Sequence, residues 1–239
     1  MKLLFLGTSH GHPEVGRNHT SVYFEHNGHG FLIDAGAPVI YLLTQYRIRI
    51  DSVKAAFITH MHLDHTAGLP VIAGCLWYHK NADWNVYFPE ERGIDRLHGW
   101  ANVKNNSQFH PHTVQEGLFY DEYGVRITAI RTEHCGKDIP SYAYLVETDD
   151  GKRVLFTGDL AYDFHDFPQI AFNTHFDLIV SELVHLAADK ASEILKDVDT
   201  KLLIFSHLGE SNVAQLQKHN VSFKFPYVIA VDGFWHYVN

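Results

Sequence analysis

Short apolar runs recur along the chain, most of them closed by polar residues or glycine. KLLFLG (2–7), SVYFE (21–25) and GFLIDAG (30–36) read as successive strands, separated by the loop-forming GTSHGHPEVGRN and HNGHG. Residues 37–46 carry apolar side chains at helical spacing and predict a helix covering one face. VKAAFI (53–58) is apolar but for Lys54, as a strand buried on both faces should be. TAGLPVIAGCLWYH (66–79) predicts a helix, with Pro70 tolerated near its start. Residues 81–123 are less regular: WNVYFP (84–89) reads as a short strand and EERGIDRLHGWANV (90–103) as a helix. Strand patterns return in 123–134, 141–148, 153–159, 176–182 and 200–207, with a helix predicted over 187–198. The tail FPYVIAVDGFWHYV (225–238) suggests a final strand pair. Strands dominate the first half and strand–helix alternation the second, which fits an α/β arrangement of two sheet layers flanked by helices. No Pro/Gly/Ser-rich linker or internal repeat divides the chain, so a single domain over 1–239 is expected.

Chemically versatile residues gather where apolar runs end. Asp34 closes FLID, His60 follows AAFIT and His134 closes ITAIRTEH; Asp159 follows VLFTG, Glu182 follows LIVS and His207 follows LLIFS. In α/β proteins the carboxyl ends of strands are where loops leave room for a ligand. The densest cluster is THMHLDHTAG (59–68), which holds His60, His62, Asp64 and His65 within six positions. Chain leaving a strand is still extended, so His60 and His62 present two imidazoles to one side. A helix beginning near Asp64 would turn Asp64 and His65 toward a neighbouring point. Imidazole and carboxylate donors suit Zn²⁺, Mn²⁺ or Fe²⁺. Six positions cannot complete two coordination spheres, and His134, Asp159 and His207 are the candidates to do so.

Ordinary roles compete with each assignment. A lone loop histidine is usually solvated, and an aspartate before a helix usually caps it. Four donors in one short segment outweigh those readings. His10, His12, His19 and Arg17, in or near the first loop, could meet an anionic substrate, although surface placement is the simpler expectation. Cys135 neighbours His134, but adjacent strand residues face opposite ways, so it is expected to be a bystander. His79, His98, His110 and His112 carry no positive argument.

Composition narrows the classes further. A hydrophobic fraction of 46% against 20% charged is that of a globular protein and not a disordered one. No apolar run approaches the ~20 residues that cross a bilayer. Two cysteines, Cys75 and Cys135, are too few for a disulfide framework, which points to a reducing cytoplasmic setting. A net charge of −9 disfavours a general nucleic-acid surface, though a metal's own charge can still attract a small anion.

In the order FLIDAG, THMHLDH, His134, FTGD and FSH, the sequence resembles the metallo-β-lactamase superfamily across essentially its whole length. The resemblance implies a four-layered αββα sandwich with two divalent metal ions, zinc first and manganese or iron as alternatives. It implies His60, His62 and His134 at one metal, Asp64, His65 and His207 at the other, and Asp159 between them. Asp34 would steady the ligand loop without touching metal. GTSHGHP, SELVH and the closing AVDGFWHYV resemble the branch of tRNA 3′-processing ribonucleases and phosphoribosyl cyclic phosphodiesterases. That branch implies a proton donor at His185, with Glu182 orienting it or sharing the transfer, and allows a homodimer. Asp64 could also orient the attacking water. The expected function is a metal-dependent phosphodiesterase on a small or nucleotide-like anionic substrate. Lactone or thioester hydrolysis, tRNA 3′-end cleavage and non-catalytic metal binding are the alternatives.

Overall fold

The computed structural model describes residues 1–12, 14–101, 106–218 and 222–239. One sheet contains β1 (Lys2–Gly7), β2 (Ser21–His26), β3 (His29–Ile33), β4 (Val53–Phe57), β5 (Trp84–Phe88), β6 (Phe109–Thr113) and β14 (Phe234–Tyr237), in the order β14-β1-β2-β3-β4-β5-β6. The other contains β7 (Gly117–Glu122), β8 (Val125–Thr132), β9 (Ser141–Thr148), β10 (Arg153–Phe156), β11 (Leu178–Ser181), β12 (Leu203–Phe205) and β13 (Tyr227–Ile229), in the order β13-β12-β11-β10-β9-β8-β7. Helices α1 (Val39–Gln45), α2 (Leu63–Thr66), α3 (Leu69–Leu76), α4 (Glu91–Ala101), α5 (Ala188–Leu195) and α6 (Glu210–Lys218) complete the chain.

The continuous apolar runs are explained by burial on both faces. In β1, Leu3 and Phe5 point between the sheets while Leu4 and Leu6 point outward beneath helices. Phe31 and Ile33 of β3 alternate with Leu32 in the same way, as do Val154 and Phe156 of β10 with Leu155. One apolar layer therefore lies between the sheets, a second under α1, α3 and α4, and a third under α5 and α6. Three cores separate four layers, the αββα order expected from the sequence.

Three local expectations change. The helix predicted over 66–79 is broken at Gly68, whose N–H donates to the Ala35 carbonyl at 2.8 Å. A Cβ there would lie 2.5 Å from Val39 Cγ1, so the chain docks against the segment after β3 and cannot run straight. The helix predicted over 90–103 appears as α4, and positions 102–103 fall outside the described residues. The irregular middle region contains β6, at the edge of its sheet, where Pro111 is tolerated. The tail does not form a pair: β13 joins β12 and β14 joins β1, so consecutive strands close different sheets.

Both sheets share one plan. Reading from β14 and from β7, three antiparallel pairings are followed by three parallel ones. At the carboxyl end of β4 the sheets are tied directly. The buried Tyr144 hydroxyl of β9 donates to the Ile58 carbonyl at 2.6 Å, and the Tyr142 N–H donates to the Thr59 carbonyl at 2.9 Å. Tyr144→Phe is expected to leave that carbonyl without its partner and lower stability by about 1–3 kcal/mol. Chemical denaturation reads the loss, and an unchanged midpoint would deny the tie any weight.

Candidate metal centre

The residues singled out in the sequence converge at the strand ends. Asp34 follows β3, His60 and His62 follow β4, and Asp64 and His65 lie in α2. His134 follows β8, Asp159 follows β10, Glu182 follows β11 and His207 follows β12. β3–β4 and β10–β11 are where antiparallel pairing gives way to parallel, a change of topology that opens a crevice.

Two groups of nitrogen donors flank one carboxylate. His62 Nδ1 lies 3.0 Å from His60 Nε2 and 3.1 Å from His134 Nε2. On the other side, Asp64 Oδ2 is 3.5 Å from His65 Nε2 and 3.8 Å from His207 Nε2. Asp159 stands between them. Its Oδ2 is 3.8 Å from His60 Nε2, 3.7 Å from His134 Nε2 and 3.1 Å from His207 Nε2, and its Oδ1 is 3.4 Å from His65 Nε2.

The rings are aimed by bonds to their far nitrogens. His65 Nδ1 donates to Asp34 at 2.8 Å, His134 Nδ1 to the Leu160 carbonyl at 3.1 Å, and His207 Nδ1 to the Ser9 carbonyl at 3.0 Å. Each bond fixes the tautomer that leaves the Nε2 lone pair facing the crevice. The Thr59 hydroxyl donates to Asp34 at 3.0 Å and accepts from His60 Nδ1 at 3.1 Å. Asp34 and His207 hold φ of 60° and 52°, a left-handed backbone that side chains other than glycine seldom adopt. The strain, of order 1–3 kcal/mol each, persists because surrounding bonds fix both residues.

Charge in this crevice is unevenly matched. Asp34, Asp64, Asp159 and Glu182 are 4%, 7%, 4% and 2% exposed. Among the described residues no lysine or arginine pairs with any of them; their ionic neighbours are histidines. Burial pushes the Asp159 carboxyl up, but His207 and His65 outweigh it and hold the group well below the carboxylate range. Burial opposes charge on His65, yet Asp159 and Asp34 raise it well above the ordinary value. His60 is driven the other way, by burial and then by His65, and remains neutral with a lone pair to give. His65 Nε2 and Asp159 Oδ1 are buried with no hydrogen-bond partner. Buried carboxylates and orphaned donor atoms of this kind fit divalent metal ions, which take such oxygen and nitrogen ligands.

Beside this cluster Glu182 holds His185. The His185 Nδ1 donates to the Glu182 carboxylate at 2.8 Å and its N–H donates there at 3.0 Å, while Glu182 also accepts the Leu160 N–H at 2.7 Å. The buried carboxylate is therefore engaged in orienting the ring. Burial opposes a proton on His185, but Glu182 outweighs it and raises the pKa above 6.5. Arg17 is absent from the crevice, its guanidinium donating to the Thr8 hydroxyl at 2.6 Å and the Ala230 carbonyl at 3.1 Å. His12 is exposed, His10 approaches Glu14 at 3.6 Å, and burial lowers the pKa of His19, whose charged neighbours include Asp64 and His65. His79 is exposed and His98 lies in α4, while His110 and His112 bond Asp83 and Asn85.

One expectation is overturned. Cys135 does not face away, because β8 ends at Thr132 and strand alternation stops with it. A turn closed by the Gly136 N–H on the Glu133 carbonyl, with Gly136 at φ 78°, brings Cys135 beside His60, His62 and His134. Sequence reasoning also passed over Thr59, although it opens the motif, and over the Ser9 and Leu160 carbonyls, which carry no side-chain signal.

Comparison with known proteins adds four likenesses. The family model described as anti-Pycsar protein Apyc1 matches residues 1–191. A ribonuclease Z of Methanocaldococcus jannaschii is 28% identical over 158 residues, covering 61% of this chain and 47% of that protein. The chain thus spans about half the length of the curated relatives it matches. Among solved structures, the metallo-β-lactamase fold protein YhfI from Bacillus subtilis superposes with a TM-score of 0.80 at 21% identity, covering 98% of each chain. A diphosphatase from the PhnP family gives 0.76 at 18% identity, covering 100% of this chain and 98% of that one. The fold is the metallo-β-lactamase fold.

Asp34→Ala is expected to weaken metal retention about 10–100-fold, since it releases the ring of His65 and the hydroxyl of Thr59. Thr59→Ser, which keeps the hydroxyl, should hold metal near the wild-type level. Competition against a chelator measures both; equal retention in all three proteins would remove Asp34 from the site's support.

Proposed function

The chain belongs to the anti-Pycsar protein Apyc1 family, and from that premise we propose that it is a hydrolase acting on a small or nucleotide-like phosphodiester. The proposal includes two divalent metal ions, zinc first. His60, His62 and His134 would hold one and Asp64, His65 and His207 the other, with Asp159 within reach of both. The observation that carries it is the set of four buried carboxylates whose ionic neighbours among the described residues are histidines alone, with His65 Nε2 and Asp159 Oδ1 left without a hydrogen-bond partner. When bound, such ions supply Lewis acidity and lower the pKa of water from about 15.7 toward ~7.

The protein's own part is positioning and proton transfer. Asp34 and Thr59 fix the rings of His65 and His60, and the Leu160 and Ser9 carbonyls fix His134 and His207. Asp64 faces His65 and His207, and in this reading its carboxylate also orients the attacking water. His185 has its Nδ1 on Glu182, which leaves Nε2 to protonate the departing alkoxide. Glu182 raises the His185 pKa and so favours the protonated ring that a general acid needs. The exposed Tyr162 ring stands edge-on to His185 at 5.2 Å.

Ribonuclease Z relatives favour a second reading, cleavage at the 3′ end of tRNA. The net charge of −9 and the short β8–β9 connection weigh toward the smaller substrate. A cytoplasmic location, from the two free cysteines, belongs to the same proposal; no helix among the described residues is long and apolar enough to cross a membrane.

Elemental analysis paired with a substrate panel tests the reading. Two equivalents of divalent metal are expected, with turnover of bis(p-nitrophenyl) phosphate and cyclic phosphates and none of lactones, thioesters or precursor tRNA. Protein without metal, or metal-loaded protein active only on the carbonyl substrates or on tRNA, would reverse it. His185→Ala should lower kcat by about 10²–10⁴-fold while metal content stays constant. A parallel fall in metal would make His185 a ligand and not the proton donor.

A further inference from the structure

Of the chain's two cysteines, Cys75 lies in α3 and Cys135 lies in the turn beyond β8, and neither is in a disulfide. Cys135 Sγ and one ring nitrogen each from His60, His62 and His134 all lie within 4.8 Å of one another. The turn that carries it is held firmly: the Glu133 N–H donates to Asp166 at 2.6 Å, His134 is bound to the Leu160 carbonyl, and Gly136 closes the loop. Independent of the thiol, the buried Asp159 carboxylate reaches the same group, its Oδ2 lying 3.8 Å from His60 Nε2 and 3.7 Å from His134 Nε2 while its Oδ1 has no hydrogen-bond partner, which calls for a cation there.

We propose that Cys135 is a fourth protein donor to the cation held by His60, His62 and His134, and that it biases this position toward thiophilic metals. The inference rests on the reading that those histidines hold a metal. Three imidazoles and one thiolate are a donor set that zinc accepts, and the Asp159 carboxylate would lie beside them. Forming the sulfur–metal bond releases the thiol proton to solvent, with no change of oxidation state. A thiolate is a soft ligand that suits zinc and cobalt, whereas carboxylate and water sets suit manganese and magnesium. One side chain next to His134 would thereby narrow a metal choice that the histidines and carboxylates alone leave broad.

Cobalt(II) titration of the metal-free full-length protein separates the two claims. Visible d–d bands report cobalt among the nitrogen and oxygen donors, and a near-ultraviolet charge-transfer band reports a thiolate on it. Both bands are expected in the wild type and in Cys75→Ser, with loss of the charge-transfer band alone in Cys135→Ser. Visible bands without the charge-transfer band in the wild type would overturn the cysteine assignment and leave the histidine site standing. No cobalt bands at all would remove the site and the cysteine together. Alkylation of the wild type guards against a variant that fails to fold. Zinc should protect Cys135 and leave Cys75 reactive, as read by peptide mapping, whereas equal labelling of both with and without zinc would refute the bond. In competition, Cys135→Ser should lose zinc preference over manganese by about tenfold, the scale on which contacts at a metal site are felt; an unchanged ratio would refute the bias.

Discussion

One buried carboxylate organises this crevice. Asp34 sits at the carboxyl end of β3 with a left-handed backbone, accepts the Thr59 N–H at 2.8 Å and the Thr59 hydroxyl at 3.0 Å, and binds His65 at 2.8 Å. Those bonds join the ends of two parallel strands to the first turn of α2. A charge this deep is costly unless it is hydrogen-bonded and paired, and Asp34 satisfies both conditions within its own neighbourhood. It is consequently not free to bind anything else. Its role is to present His65 Nε2, and through Thr59 the ring of His60, to the space that the other donors share.

The remaining donors follow the same logic with neutral acceptors. Backbone carbonyls of Ser9 and Leu160 take the Nδ1 protons of His207 and His134, so the tautomer of each ring is set by chain that is distant in sequence. Glu182 does for His185 what Asp34 does for His65, but beside the cluster and on a ring that is partly open to solvent. The contrast separates the two histidines chemically. Neighbouring carboxylates raise the pKa of both rings, but His65 is sealed against Asp159 whereas His185 keeps an edge open to solvent.

Much of this could be read from the sequence because strand burial and donor placement obey local periodicity. Leu3 to Leu6 and Phe31 to Ile33 are continuous apolar runs because alternate residues enter different cores, and the second run ends at Asp34. The failures occurred where tertiary contacts overrode periodicity. Gly68 breaks a helix that residues 66–79 would otherwise favour, because the backbone near Ala35 lies in its path. The tail pattern predicted two strands correctly, but pairing is decided by which sheet edge is vacant, which no local pattern records. Cys135 was misassigned because alternation was extended beyond the last residue of β8. The carbonyl partners of His134 and His207 were invisible for a simpler reason: every residue has a carbonyl.

The placement of donors also links the site to the cohesion of the fold. His60, His62, Asp64 and His65 follow β4 of one sheet; His134, Asp159 and His207 follow strands of the other. Neither sheet alone presents a complete set, so the crevice exists only when the sheets are packed face to face. Tyr144 and Tyr142 already bond across that junction to the backbone on either side of the Ile58–Thr59 bond, immediately before the first histidine. A cation held by both groups would act as a further cross-link at the same place and bind the folded state far better than the unfolded one. By linkage, its binding free energy then adds to the stability of the sandwich. The packing that aligns the histidines and the ligand they would hold thus reinforce each other across one interface.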